Sequence, residues 1–259
     1  MSNTNTTRLG NTDIVNIAKQ RFEKQQRSKL PSIIVNLPSS GVIYPEKHPL
    51  ASGQVEMRYM TAYDEDILTN TSYIKNGVVF DKLLESIIVA EGVDVQEIST
   101  FDKNGLIMYA RILSYGPEYP VQVTDPATSK TYERTADLTK LTFLPFELQA
   151  DQNGEFDYQV NDKFTLKFSF LTNRESKKIT DDRTISSALQ GLIKQINASR
   201  STTDIENFIR YEFLARDAKR FREFVQANTP GVNLELEFEG EQGGTFKSKF
   251  QIGSNFFWF

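Results

Sequence analysis

The chain contains no cysteine. Disulfides, thiolate metal sites and cysteine nucleophiles are therefore excluded. It has a single histidine, His48, so no cluster of histidines can hold a metal. His48 lies between Lys47 and Pro49, and its surroundings read as a solvated loop rather than a catalytic site. No apolar run approaches the roughly 20 residues that a membrane-spanning helix needs. The first residues, MSNTNTTRLGNTD, lack the apolar segment of a secretory signal, so a cytoplasmic product with no membrane partner is expected. The net charge of -4 gives no general attraction to nucleic acid or to an anionic membrane. No phosphate loop, dinucleotide fingerprint, HExxH, GxSxG or EF-hand loop is present. Nothing pairs a nucleophile with a base. The reading is not an enzyme, with no cofactor and no metal.

What is present in quantity is phenylalanine, 19 residues of it, within an aromatic content of 12%. A chain of 259 residues is long enough to bury a large phenylalanine-rich core. The expected fold class is α+β: mixed helices with antiparallel hairpins, and a long C-terminal helix followed by a last hairpin. Three sections are expected. Residues 1–29 are expected to form a partly disordered N-terminal arm, 30–140 an α+β section, and 141–259 a second α+β section, either separate or joined to the first.

The arm opens polar and then carries Ile14, Ile17, Ala18 and Phe22 on one face of a short helix. Its second half is basic, with Lys19, Arg21, Lys24, Arg27 and Lys29, which suits either an arm that binds a partner or, as the favoured reading, a solvated helix whose cations complement the C-terminal end of the dipole. A strand over Ile33–Val35, a turn at Pro38 to Gly41 and a strand over Val55–Met60 follow. Thr61 and Asp64 fit the looser capping box. Asp64, Glu65 and Asp66 then place negative charge in a first helical turn. Neighbouring helical residues point in different directions, so these three do not converge on a cation. Phe80, Leu83, Leu84, Ile87 and Ile88 repeat at helical spacing, with Gly92 placed to end that helix. A helix over about 103 to 114 stops at Gly116 and Pro117. Tyr119–Val123 and Thr131–Arg134 form a hairpin around Asp125 and Pro126.

In the second section, Phe164, Leu166, Phe168 and Phe170 alternate with polar residues as a half-buried strand. Ile185 to Ile196 reads as one amphipathic helix. Thr203 and Glu206 form a capping box for a helix running to about Ala227. Arg216, Lys219, Arg220 and Arg222 on that helix would suit nucleic acid, but Glu212, Asp217 and Glu223 are interleaved, which suits a solvated face. In the last hairpin, Phe238 pairs with Phe246. That register sets Glu237 opposite Lys247, Glu235 opposite Lys249 and Leu234 opposite Phe250. Beyond Gly253 come Phe256, Phe257, Trp258 and Phe259. Either they dock on their own chain or they bind a partner, and they are the candidate partner-binding residues.

Several phrases carry a family resemblance. Leu37-Pro38-Ser39-Ser40-Gly41 followed by Tyr44-Pro45 resembles the opening of the baseplate-hub protein family of T-even-like, contractile-tailed bacteriophages. Met60 to Leu68 is similar to that family's "mta-x-DEdiL" segment, and Arg111 to Gly116 to its "R-x-x-x-yG" helix end. Asp137-Leu138, Leu144-Pro145, Phe170-Leu171-Thr172 and an aromatic C-terminus continue it. The resemblance implies a virion-assembly role without catalytic residues: a tail baseplate hub protein or hub-assembly factor, acting by protein–protein interaction with other phage tail or baseplate proteins. It implies a location in the host cytoplasm during assembly, or in the virion tail baseplate. Two other readings stay open. One is a tail assembly chaperone that binds the tape-measure protein. The other is a nucleic-acid-binding protein that uses the Arg216–Arg222 helix.

Overall fold

The computed structural model describes residues 30–126, 128–182, 184–240, 244–249 and 256–257. The helix expected around Ile14 to Phe22 and the pairing of Leu234 with Phe250 lie outside the described residues.

Strands β1 (Ser32–Asn36) and β2 (Gln54–Arg58) pair antiparallel, with Val35 opposite Val55 and Ile33 opposite Met57. The connection between them is closed at Gly41, which sits at φ +81, where a Cβ would lie 2.5 Å from the Ala51 carbonyl oxygen. Only glycine fits that approach.

Four helices follow: α1 (Ala62–Thr69), α2 (Thr71–Lys75), α3 (Val79–Ile87) and α4 (Thr100–Tyr115). Thr61 precedes α1 as expected, and its amide donates to Asp64 at 2.7 Å. Asp64 is more than a first-turn charge, however: it is fully buried and ion-paired with Arg58 at 2.7 Å. Helix α3 ends at Ile87 rather than at Gly92. The open edge of β2 takes the chain over, with Ile88 bridging Met57 and the Val89 amide donating to the Glu56 carbonyl at 3.1 Å. Gly116, at φ +84, ends α4 where expected. Strands β3 (Glu118–Thr124) and β4 (Thr131–Asp137) make the expected hairpin.

The second section contains β5 (Thr142–Phe143), β6 (Phe156–Gln159), β7 (Thr165–Phe168), α5 (Asn173–Asp182), α6 (Ile185–Leu192) and β8 (Ile193–Ile196). The helix expected from Ile185 to Ile196 therefore stops at Leu192. Its last four residues become a third strand, setting Ile193 against Phe168 and Ile196 against Leu166. Ile193 and Ile196 are buried in this arrangement. A short apolar run of this kind satisfies helix and strand periodicity alike.

The long helix is two: α7 (Thr202–Tyr211) and α8 (Ala215–Ala227). Its cap is Ser201, whose hydroxyl accepts from the Asp204 amide, and not Thr203. The two apolar stripes are out of phase. On one continuous helix, Ala218, Phe221 and Val225 would lie roughly 140° around the axis from Ile205 and Phe208. The break at Glu212 to Leu214 corrects the phase. It also turns Phe213 inward, where its ring stacks on Phe208 at 4.9 Å.

Strand β9 (Val232–Asn233) pairs with β5. Strands β10 (Glu235–Glu239) and β11 (Thr245–Lys249) form the last hairpin in the register expected, with Phe238 opposite Phe246, Glu237 opposite Lys247 and Glu235 opposite Lys249.

The architecture is thus α+β, with small antiparallel sheets set among helices. Buried side chains from 30–140 and from 141–259 join one apolar cluster. Its centre is phenylalanine: the Phe168 ring lies 5.4 Å from both Phe156 and Phe221, and Phe156 lies 5.5 Å from Phe170.

Candidate interaction site

Phe256 and Phe257 are buried in their own chain. Phe256 packs edge-on against Tyr119 of β3 at 5.0 Å. Phe257 meets Phe80 of α3 at 5.9 Å and Tyr115 of α4 at 6.3 Å. The socket is built around Arg111 of α4, a fully buried side chain. Its Nε donates to the Phe256 carbonyl at 3.2 Å. Nη1 donates to the Gly116 carbonyl at 3.1 Å and Nη2 to that of Glu118 at 3.3 Å. Its guanidinium lies 5.1 Å from the centre of the Tyr115 ring and 5.9 Å from that of Tyr119. A planar, permanently charged fork can satisfy carbonyls in several directions and stack on rings at once. Burial lowers the Arg111 pKa, which the two tyrosines partly oppose. Burial, together with a 2.8 Å hydrogen bond to Glu65, pushes the Tyr115 hydroxyl up to about 12. Trp258 and Phe259 lie outside the described residues.

Arg111 carried no role in the sequence reading. Its signal was its spacing: it lies four residues after Ile107 and four before Tyr115, on one helical line. The other phrases of the resemblance also become structural joints. The Ser39 amide and hydroxyl and the Tyr44 hydroxyl donate to Asp102 at 2.9, 2.7 and 2.7 Å. This carboxylate, at the start of α4, clamps the Leu37–Gly41 loop. Pro38 lies against Gly105 so closely that a Cβ there would come within 2.7 Å of it. In the next phrase, Asp64 receives both Arg58 and the Ser86 hydroxyl, the latter at 2.7 Å. Helix α5 is tied to the first section by Asp81, which is paired with Lys103 and Lys177 and accepts from Asn173 at 3.0 Å.

His48 does sit in a turn, but it is partly buried rather than solvated. Its ring stacks on Tyr44 at 4.8 Å and its Nδ1 accepts from the Leu50 amide at 3.2 Å. Burial lowers its pKa. It borders a recess of about 260 Å³ with Glu155 and Glu175. Those carboxylates are already engaged, with Arg200 at 2.7 Å and Lys194 at 3.0 Å. Among the described residues, no group of three or more acidic or histidine side chains is placed to hold a metal. None of the described helices is long and apolar enough to cross a membrane. On α8, Lys219 lies 3.6 Å from Glu223 and Arg220 3.8 Å from Asp217, the intrahelical pairs expected of a solvated face.

A family model described as "T4 bacteriophage base plate protein" matches residues 31–257, from the first strand to the docked Phe257. The chain belongs to this family. It is a structural protein of a phage baseplate, and its neighbours are other phage tail or baseplate proteins. No curated protein and no solved structure matches it. In this baseplate protein the site is a clamp, in which charged and aromatic groups fix a peptide end. Membership of this structural family suggests a non-enzymatic role.

Proposed function

We propose that the chain works at the baseplate hub, as a hub component or a hub-assembly factor acting through protein–protein contact in the host cytoplasm. The observation that carries this reading is the family match over residues 31–257, with the hub-like phrases lying on its structural joints. The tail supports a contact role. Its root, Phe256 and Phe257, is anchored by Arg111 and aromatic rings. In this reading the partner meets the aromatic end, and the anchored root spares the complex part of the ordering cost of a free tail.

The test is affinity purification from infected cells, using the intact chain and a W258A/F259A variant. Purified virions are examined by mass spectrometry in parallel. Hub proteins should co-purify with the intact chain and be depleted with the variant. Stoichiometric recovery in virions would assign a resident component, and absence a departing factor. Recovery of the tape-measure protein without hub proteins would overturn the proposal.

A further inference from the structure

Strand β1 leaves one long side of its backbone open. Its ladder to β2 is bracketed by two hydrogen bonds, from the Leu37 amide to the Gly53 carbonyl and from the Tyr59 amide to the Pro31 carbonyl. In the register that sets Ile33 opposite Met57 and Val35 opposite Val55, the amides and carbonyls of Ser32, Ile34 and Asn36 therefore point away from β2. Among the described residues no strand pairs on that side and no loop backbone bonds to it. Exposed edges are normally blunted by a charge, a proline or a bulge. Ser32-Ile33-Ile34-Val35-Asn36 has neither charge nor proline, and its register with β2 is unbroken. The far side of β2, by contrast, is engaged: Ile88 bridges Met57, and the Val89 amide donates to the Glu56 carbonyl.

The edge is complementary to itself. Successive residues of a strand face opposite sides of the sheet. Ile34, 63% exposed, lies on one face with Ser32, Asn36 and, across the ladder, Glu56. Ile33, 42% exposed, lies on the other face with Val35 and Met57. Turned antiparallel about Ile34, a second copy of β1 sets its Ile34 opposite this Ile34, its Val35 opposite Ile33 and its Asn36 opposite Ser32. Apolar side chains then meet on both faces, and polar ones meet at both ends. Every outward residue of each copy joins a hydrogen-bonded pair. The smallest slip that keeps the outward groups facing one another is two residues. It sets Ile34 against Ser32 or Asn36 and puts one outward residue of each copy beyond the end of the partner strand. No like charges meet. The two Glu56 residues would stand three strand spacings apart, roughly 14 Å, which exceeds the screening length of about 8 Å.

We infer that the free edge of β1 is the interface between two copies of this chain, joined strand to strand about a two-fold axis at Ile34. The pairing is isologous and closed. With the far side of β2 engaged, the joined sheet leaves no edge on these strands for a third copy. The strand offers 5 residues a side, against about 20–30 in a permanent interface. The dimer is therefore weak, and it forms as the local concentration rises.

The test uses the full chain as wild type, Ile34→Lys and Ile34→Glu, followed by sedimentation velocity and hydrogen exchange across the micromolar range. Position 34 is exposed, so both variants should melt where the wild type does. The wild type should dimerise reversibly with rising concentration, and the amides of Ser32, Ile34 and Asn36 should gain protection in step. Each variant alone should dimerise roughly tenfold more weakly, because like charges then stand directly opposite. An equimolar mixture should associate roughly tenfold more tightly than either variant alone, since the introduced lysine meets the introduced glutamate. A wild type that stays monomeric throughout would overturn the inference. So would self-association that Ile34→Lys leaves unchanged, or a mixture no tighter than its parts. Full protection of those amides in the dilute monomer would also overturn it, and would assign the edge to a cover from the chain itself.

Discussion

Three buried carboxylates show how one residue type is used in opposite ways. Burial works against the charge of Asp64, but Arg58, Ser86 and the Thr61 amide hold its pKa below the ordinary range. Burial likewise opposes Asp81, and Lys103, Lys177 and Asn173 outweigh it. For Asp102 burial wins over the Tyr44 and Ser39 hydrogen bonds, and its pKa is raised. A carboxylate with a lowered folded pKa stabilises above its unfolded value, near pH 4, and that stability is lost as pH falls through the folded pKa. Asp102 has the opposite sign: its contribution is complete at low pH and is lost as pH rises past the unfolded value. Asp64→Asn should therefore cost on the order of 3 kcal/mol at neutral pH, because Arg58 is left buried and unpaired. Urea unfolding of D64N and D81N should show penalties that shrink as pH falls toward about 3. Penalties equal at both pH values would refute the assignment. The sequence showed Asp64 as a capping residue in an acidic first turn and as part of a family phrase, but not as a buried ion-pair partner. Its partners are 6 and 22 positions away, on elements whose meeting no local pattern records.

At the scale of elements, periodicity was reliable wherever one face alone was wet. The β10–β11 register followed from alternation because a one-residue slip would send Phe238 and Phe246 to the solvent side. Helix ends were less readable. The α3 end was decided by β2 pulling Ile88 and Val89 into extended chain, the α6 end by β7 pairing with Ile193. Both are tertiary hydrogen bonds outcompeting one more helical turn. The α7–α8 break was written in the phase of the apolar stripes, which the capping pattern obscured. Gly105 within α4 is the clearest case of an element shaped by its neighbour, since Pro38 occupies the space of its missing Cβ. Alanine there has the better helix propensity by about 1 kcal/mol, yet G105A should destabilise by about 1–3 kcal/mol through overpacking. A stabilised variant in thermal unfolding would show that the Leu37–Gly41 loop yields instead.

For the whole molecule, the tail closes the fold. Arg111 joins α4, the start of β3 and Phe256 in one set of hydrogen bonds. Burying Phe256 and Phe257 contributes about 3–6 kcal/mol on area grounds. Deleting residues 256–259 should therefore lower the melting temperature by on the order of 10 °C. Deleting only 258–259 should lower it far less, and differential scanning calorimetry separates the two. Equal losses would place all the aromatics in the fold and leave none for a partner.

The sequence by itself determined the α+β class, the β3–β4 and β10–β11 hairpins, the α4 stop at Gly116 and the phrases that mark the family. These depend on local geometry and on which side of an element meets water, and both are periodic in the chain. Only the tertiary structure decided that Arg111 is the anchor of the C-terminus, that Asp64, Asp81 and Asp102 are internal joints, and that Phe256 and Phe257 face inward. Those outcomes depend on which distant residues share a dehydrated space. There a charge or a ring is stabilised by neighbours that sequence spacing does not bring together.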